Sequence, residues 1–131
     1  MIGYTVIIPC EMAVKSIVPS IRAMVAKELN ESYNMKQDDI ACILGVTQSA
    51  VSQYLSNVRG NALDLKDVSE VVVIVKDLVF MLTENPKSTR AICQKYCEAC
   101  EIIRTRRIMC QLHHRLDPLY NTTNCDTCMP F

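Results

Sequence analysis

The sequence predicts an all-α fold, and three observations carry that prediction. The stretch Gln37-Asp-Asp-Ile-Ala41-Cys-Ile-Leu-Gly45-Val-Thr-Gln-Ser-Ala-Val51-Ser-Gln-Tyr-Leu55 reads as two helices meeting across a glycine. Ala41 is small enough for a close crossing, Gly45 tolerates the left-handed backbone of a tight corner, and Val51 and Leu55 lie four apart on one face. Apolar residues also recur at three- and four-residue steps through Ala13, Ile17, Ile21, Met24, Val25 and Leu29, the period of an amphipathic helix. Finally, three Gly and five Pro in 131 residues argue against disorder and against a strand-rich chain. The full expectation is a helix-turn-helix DNA-binding and dimerisation domain over residues 1–85, followed by a metal-bound, cysteine-rich C-terminal tail over 86–131.

Residues 4–8 are β-branched enough for a short strand or an extended arm, which Pro9 ends. Helical periodicity begins at Cys10. Pro19 lies inside it and either separates a short helix from a longer one or kinks a single helix. Residues 36–44 form the first helix of the corner. Thr47 is a natural N-cap for the second, which runs from about 48 to 57 and stops at Arg59-Gly60-Asn61. Asp64 or Asp67 can start the next helix, which extends to about Leu82 and is apolar nearly all round through Val71-Val-Val-Ile-Val75 and Leu78-Val-Phe-Met-Leu82. A solvated helix does not look like this, so it is read as both the central helix of the domain and the contact with a second copy of the chain. Asn85-Pro86 breaks the chain. Ser88 or Thr89 caps a last helix to about 107, and residues 108–131 read as loop.

Size and charge narrow the function. The formal net charge is zero, which is unusual for a DNA binder, but residues 87–116 carry Lys87, Arg90, Lys95, Arg104, Arg106, Arg107 and Arg115 against Glu98 and Glu101. Thiolates around a metal would offset much of that charge. The apolar start lacks a basic leader and a cleavage site, and residues 71–82 are too short for the roughly 20 residues of a membrane span. The expected setting is cytoplasmic, without membrane association. There, eight cysteines are thiols or metal ligands rather than a disulfide framework. No catalytic base, phosphate loop or substrate pocket has a recognisable pattern, so the chain is not read as an enzyme.

The DNA-reading candidates follow from the corner. Gln48, Ser49, Ser52 and Gln53 should be exposed on the second helix, behind its Thr47 cap. Gln can make a bidentate contact with adenine, and Ser can bond to bases or phosphate. Gln37, at the start of the preceding helix, is placed for a phosphate, and Arg59 and Lys66 should touch the backbone beyond the reading helix. The plainer alternatives are a solvated helical face or a helix-turn-helix reused for protein contacts.

Six of the eight cysteines fall between Cys93 and Cys128, as Cys93-x3-Cys97-x2-Cys100, Cys110 and Cys125-x2-Cys128. Two CxxC pairs brought together make a tetrathiolate cage for structural zinc or an iron–sulfur cluster. The tail has little apolar material, and a metal centre would supply the cohesion that packing cannot. Cys10 and Cys42 instead occupy helix-core positions and are expected to be buried. His113 and His114 are more naturally second-layer donors or surface residues than ligands. The Cys93-Cys97-Cys100 spacing also looks like the cluster triad of radical-SAM enzymes, but those need a barrel several times longer than this tail.

Gln37…Ala41…Gly45…Val51 and Gly45-Val-Thr-Gln-Ser-Ala-Val-Ser-Gln-Tyr-Leu-Ser together resemble the phage-repressor and Cro class of helix-turn-helix proteins, the Xre type. With Pro19-Ser-Ile-Arg-Ala-Met-Val-Ala-Lys-Glu-Leu29, Arg59-Gly60 and the cysteine tail, the chain is similar over most of residues 10–128 to a group of small archaeal predicted transcription regulators. The resemblance implies a sequence-specific regulator that binds double-stranded DNA as a homodimer. It also implies metal ligands at Cys97 and Cys100, at Cys110 in Cys110-Gln-Leu-His113, and at Cys125 and Cys128, with Cys93 as a further candidate. Five cysteines for a four-ligand centre leave one spare. A spare thiol suits a sensor better than a fixed zinc staple, so the expected cofactor is a [4Fe–4S] cluster that senses redox state, oxygen or iron. The alternative is a constitutive DNA-binding regulator with structural zinc. The long helix at 68–82 and the cysteine-rich end depart from a typical phage repressor, so operator and effector do not carry over.

Overall fold

The structure, a computed structural model, describes residues 6–120, 123 and 125–128, and every regular element among them is helical. Pro9 opens α1 (Pro9–Met12), where its missing N–H has no helical partner to lose. A π-helical turn, Ala13–Ile17, then runs directly into α2 (Val18–Glu31). This turn answers the problem set by Pro19, whose ring would press on the Lys15 carbonyl in a regular α-helix. The wider π ring re-spaces the ladder just ahead of it, with the Val18 amide donating to the Ala13 carbonyl. Ser16, itself buried, donates its hydroxyl to the Met12 carbonyl at 2.5 Å. The two halves therefore stay continuous. Of the region read as strand or arm, residues 4 and 5 lie outside the described residues, and residues 6–8 are an extended arm.

The remaining elements are α3 (Gln37–Leu44), α4 (Gln48–Leu55), α5 (Ser69–Glu84), α6 (Thr89–Thr105) and α7 (Cys110–Leu116). α2 is the hub. Its Ile21, Val25 and Leu29 are fully buried, and it packs on α3, α4, α5 and α6. α5 lies along both α2 and α6 and buries Val71, Ile74, Val75, Leu78, Val79 and Leu82. It is not buried all round, since Val73 and Phe80 are 58% and 62% exposed on the other side. Ala99 and Ile103 of α6 and Met109 belong to the same buried cluster as these α5 residues, so the segment after residue 86 contributes to the core. No helix among the described residues is long and apolar enough to cross a membrane.

Two sequence expectations need correction. Residues 110–116 are not loop but α7, whose buried residue is His113. Cys10 and Cys42 are exposed, not core. For Cys10 the reason is the π turn, which shifts the angular phase of everything before it, so that Met12 points inward instead. Cys42 follows the buried Ala41 by one residue, which is about 100° around an α-helix.

α5 and α6 are also joined electrostatically. Lys95 reaches Asp77 at 3.2 Å and Glu98 at 3.5 Å, and Arg106 reaches Glu70 at 2.6 Å. The hydrogen bond from Arg106 holds the Glu70 carboxyl at about 2, against an ordinary 4.5. A depressed carboxylate contributes stability above its unfolded value, and that contribution is lost as pH falls from about 4.5 toward 2. The pair is solvent-exposed, so the effect on stability is small. The Glu70 carboxyl should nevertheless titrate near 2 by NMR in the native chain and return toward 4.5 in Arg106→Ala; an unchanged midpoint in that variant would show that the pair does not form in solution.

Candidate functional site

The corner between α3 and α4 is built by three local devices. Gly45 takes the left-handed conformation, φ 68°, and the Val46 amide turns back onto the Ala41 carbonyl at 3.1 Å, closing α3 in a Schellman-type cap. Thr47 is extended, and its Oγ1 accepts from the Ala50 amide at 3.1 Å, which starts α4. Ala50, Val51 and Tyr54 are then buried, and α4 is held against α2 and α3. This leaves Gln48 and Ser49 exposed and Ser52 and Gln53 half-exposed on the outer side. Gln48 donates its Nε2–H to Oε1 of Gln37, so the first turns of the two helices present one joined amide pair.

After α4 the chain reverses through Asn57, at φ 61°, whose Oδ1 accepts from Lys27. The Gln53 carbonyl accepts from the Val58 and Arg59 amides, and Arg59 itself is exposed. Gly60, at φ 76°, then passes so close to α2 that a Cβ there would meet the Pro19 carbonyl oxygen at 2.5 Å and the Ala23 Cβ at 2.7 Å. The outer side of α4 is therefore polar and uncharged. Lys36, Arg59 and Lys66 flank it exposed, and so do Asp38 and Asp39 in the first turn of α3.

The second site lies where the C-terminal end of α6, α7 and residues 125–128 meet. Cys100, Cys110, Cys125 and Cys128 are all half-buried, and Cys100 and Cys128 pack against the core. Cys110 senses the charges of both Cys128 and Cys125. Arg104, one helical turn beyond Cys100, interacts with Cys128 and Cys100, which hold its proton more tightly, and its Nη1 lies 4.0 Å from the sulfur of Cys10. Among the described residues its Nε is buried without an acceptor. Burial pushes the thiols of Cys100 and Cys110 up. Cys125 is pulled down by hydrogen bonds with the Thr127 and Tyr120 hydroxyls, at 3.4 and 3.2 Å.

His113 organises this region rather than offering itself to a metal. Its Nε2 is 2.6 Å from the Ile7 carbonyl, while the Ile7 amide donates to Asp117 at 3.3 Å. Its ring stacks on Tyr120, with centroids 4.1 Å apart, and Tyr120 in turn reaches Cys125 and Thr127. His114 is exposed, with Nδ1 at 3.1 Å from the Tyr120 carbonyl. The chain Ile7–His113–Tyr120–Cys125 thus ties the N-terminal arm to the cysteine loop.

Of the cysteines singled out in the sequence, the structure brings Cys100, Cys110, Cys125 and Cys128 to one region. Cys93 and Cys97 are exposed and line a cavity toward the start of α6, although the charge of Cys97 still reaches Cys100 one turn on. Arg104 lies against Cys100, Cys128 and Cys10, whereas Cys110 and Cys125 feel the charge of Arg107, and among the described residues no three His, Cys, Asp or Glu side chains are gathered to hold a metal ion. The donor set fits a four-thiolate centre in its chemistry, and Arg104 Nε, buried and without an acceptor among the described residues, is a donor that thiolates here would suit. Its geometry requires residues 125–128 to close further onto Cys100 and Cys110. Sequence reasoning did not find Arg104, Tyr120 or Cys10. Only Arg104 had a readable signal, its i+4 spacing from Cys100. No family model, no curated protein and no solved structure matches this chain.

Proposed function

We propose that this chain is a transcription regulator that binds double-stranded DNA sequence-specifically as a homodimer. The observation that supports this best is the α3–α4 corner: Ala50, Val51 and Tyr54 are committed to the core, while Gln48 and Ser49 face outward beside Gln37. In this reading α4 enters the major groove, Gln48 and Gln53 read base edges, Ser49 and Ser52 add hydroxyl contacts, and Gln37, Thr47 and Arg59 fix the register on the backbone. Gln48 has a head start, because its bond to Gln37 orients the amide before DNA arrives. The Val73 and Phe80 side of α5 supplies the apolar surface for a second protomer, which must place the two copies of α4 roughly 34 Å apart.

The cysteine end belongs to the same proposal as a [4Fe–4S] site on Cys100, Cys110, Cys125 and Cys128 that reports redox state, oxygen or iron supply. A bound cluster would supply a redox-sensitive centre there. The chain's own part is to hold the thiols, with Arg104 compensating negative charge at Cys100 and Cys128, Arg107 at Cys110 and Cys125, and the His113–Tyr120 stack positioning Cys125. A second reading, structural zinc, is favoured by one observation: with Cys97 on the cavity side, four grouped thiols serve zinc as well as a cluster and leave no spare thiol to argue for a sensor.

Selection from random DNA with the purified protein should enrich one site with two-fold symmetry. On that site Gln48→Ala should weaken binding roughly 5- to 100-fold, the worth of one bidentate base contact, while binding to unrelated DNA stays the same. A selection without enrichment, or a Gln48→Ala protein that binds the site like wild type, would leave α4 as a protein-contact face and end this reading.

A further inference from the structure

α2, α3, α5 and α6 line an open cavity of about 450 Å³, within the size range of small-molecule sites. Its walls are Val18, Ile43, Leu44, Leu82 and Ile92, and Arg22 is the single charged residue among them. Arg22 is half-buried, and among the described residues no carboxylate lies within ion-pair distance of it. Its polar neighbour is Tyr96, whose phenol interacts with the guanidinium. Burial pushes that phenol above its ordinary value, so at neutral pH it carries no charge to offset Arg22. A partly desolvated cation without an anion is an unfavourable arrangement, and a planar guanidinium fork is matched to a carboxylate. The rest of the lining has no second charge to orient and offers apolar area to an aliphatic body.

We propose that this cavity binds a small amphipathic carboxylate, its acid group on Arg22 and its apolar chain between α3 and α6. None of Cys100, Cys110, Cys125 and Cys128 lines the cavity, and the proposal does not depend on DNA binding. Ile43 and Leu44 lie immediately before Gly45, so an occupant packs on the helix that sets the corner. An effect of that occupant on DNA affinity rests on the function proposed above and is read in a separate assay.

Decanoate is a suitable probe, titrated calorimetrically into the full chain. Cys93 and Cys97, exposed and part of the lining, give a second readout through iodoacetamide alkylation followed by mass spectrometry. Decanoate should bind, slow the alkylation of Cys93 and Cys97, and leave that of Cys42 unchanged. Decanol, with the same chain and no charge, should bind about tenfold more weakly, and Arg22→Gln should lower decanoate affinity by about the same factor and erase the preference. Cys93→Trp, which fills the cavity from an exposed position, should block decanoate with Arg22 intact. Absence of decanoate binding, equal affinity for decanol, or an Arg22→Gln protein as tight as wild type would each overturn the proposal, whether or not the chain binds DNA.

Discussion

Gly60→Ala is expected to destabilise the protein by about 3 kcal/mol, a fall in Tm of roughly 10 °C for a chain of this size. Two effects add. At φ 76° an L-residue adopts the left-handed conformation, which costs roughly 1–2 kcal/mol. The new Cβ would then sit 2.5 Å from the Pro19 carbonyl oxygen and 2.7 Å from the Ala23 Cβ. Neither neighbour is a flexible tip. Both belong to α2, whose adjacent Ile21 and Val25 are fully buried, so relief requires the hub helix or the segment after α4 to move. Overpacking of this kind adds roughly 1–3 kcal/mol. Gly45→Ala is the matched control. Its φ is 68°, but nothing lies within 4 Å of the added carbon, so only the conformational part, roughly 1–2 kcal/mol, should be lost. Thermal unfolding of the two variants separates strain from clash. Equal losses would mean that the segment at Gly60 does not approach α2 as closely as 2.5 Å implies.

That pair of glycines also shows where sequence was informative. Gly45 was legible because its role is local: a helix, a corner and an N-cap within a few residues, all of which follow from backbone chemistry. Gly60 read only as a stop, since its closeness to Pro19 and Ala23 depends on how α2 and the end of α4 are placed. The Pro19 region divides in the same way. A break or kink follows from the proline, but the π turn that keeps α1 and α2 continuous is a tertiary solution, and it rotated Cys10 out of the core. α7 was missed because its inward residue is His113, which no apolar periodicity counts, and because seven residues give that period little room. Among the cysteines, spacing alone paired Cys97 with Cys100. The uninterrupted helix from Thr89 to Thr105 keeps Cys97 a turn closer to the cavity, whereas Cys100 sits next to Arg104 and the core.

The cysteines therefore give the sharpest expected pattern. If Cys100, Cys110, Cys125 and Cys128 hold a four-thiolate centre, replacing any one of them with serine should abolish stable metal retention, because a serine hydroxyl is not ionised at neutral pH and cannot replace a thiolate ligand. Cys93→Ser and Cys97→Ser should keep the full metal content, since both thiols are exposed and line the cavity; Cys97, whose charge reaches Cys100 one turn on, is the stricter test of the two. Cys10 is the informative intermediate. It lies 4.0 Å from Arg104 Nη1 but belongs to the N-terminal helix, so Cys10→Ser should retain the metal while altering its exposure to oxidant. Metal analysis and absorption spectra of anaerobically purified variants read all of this directly. Brown protein with iron and sulfide supports the cluster, and colourless protein with zinc supports the structural reading. Loss of metal in Cys97→Ser to the same degree as in Cys110→Ser would return Cys97 to the ligand set, which its place one turn before Cys100 on α6 permits. A wild-type chain free of both metals would leave these thiols as partners of Arg104 and Arg107 alone among the cations.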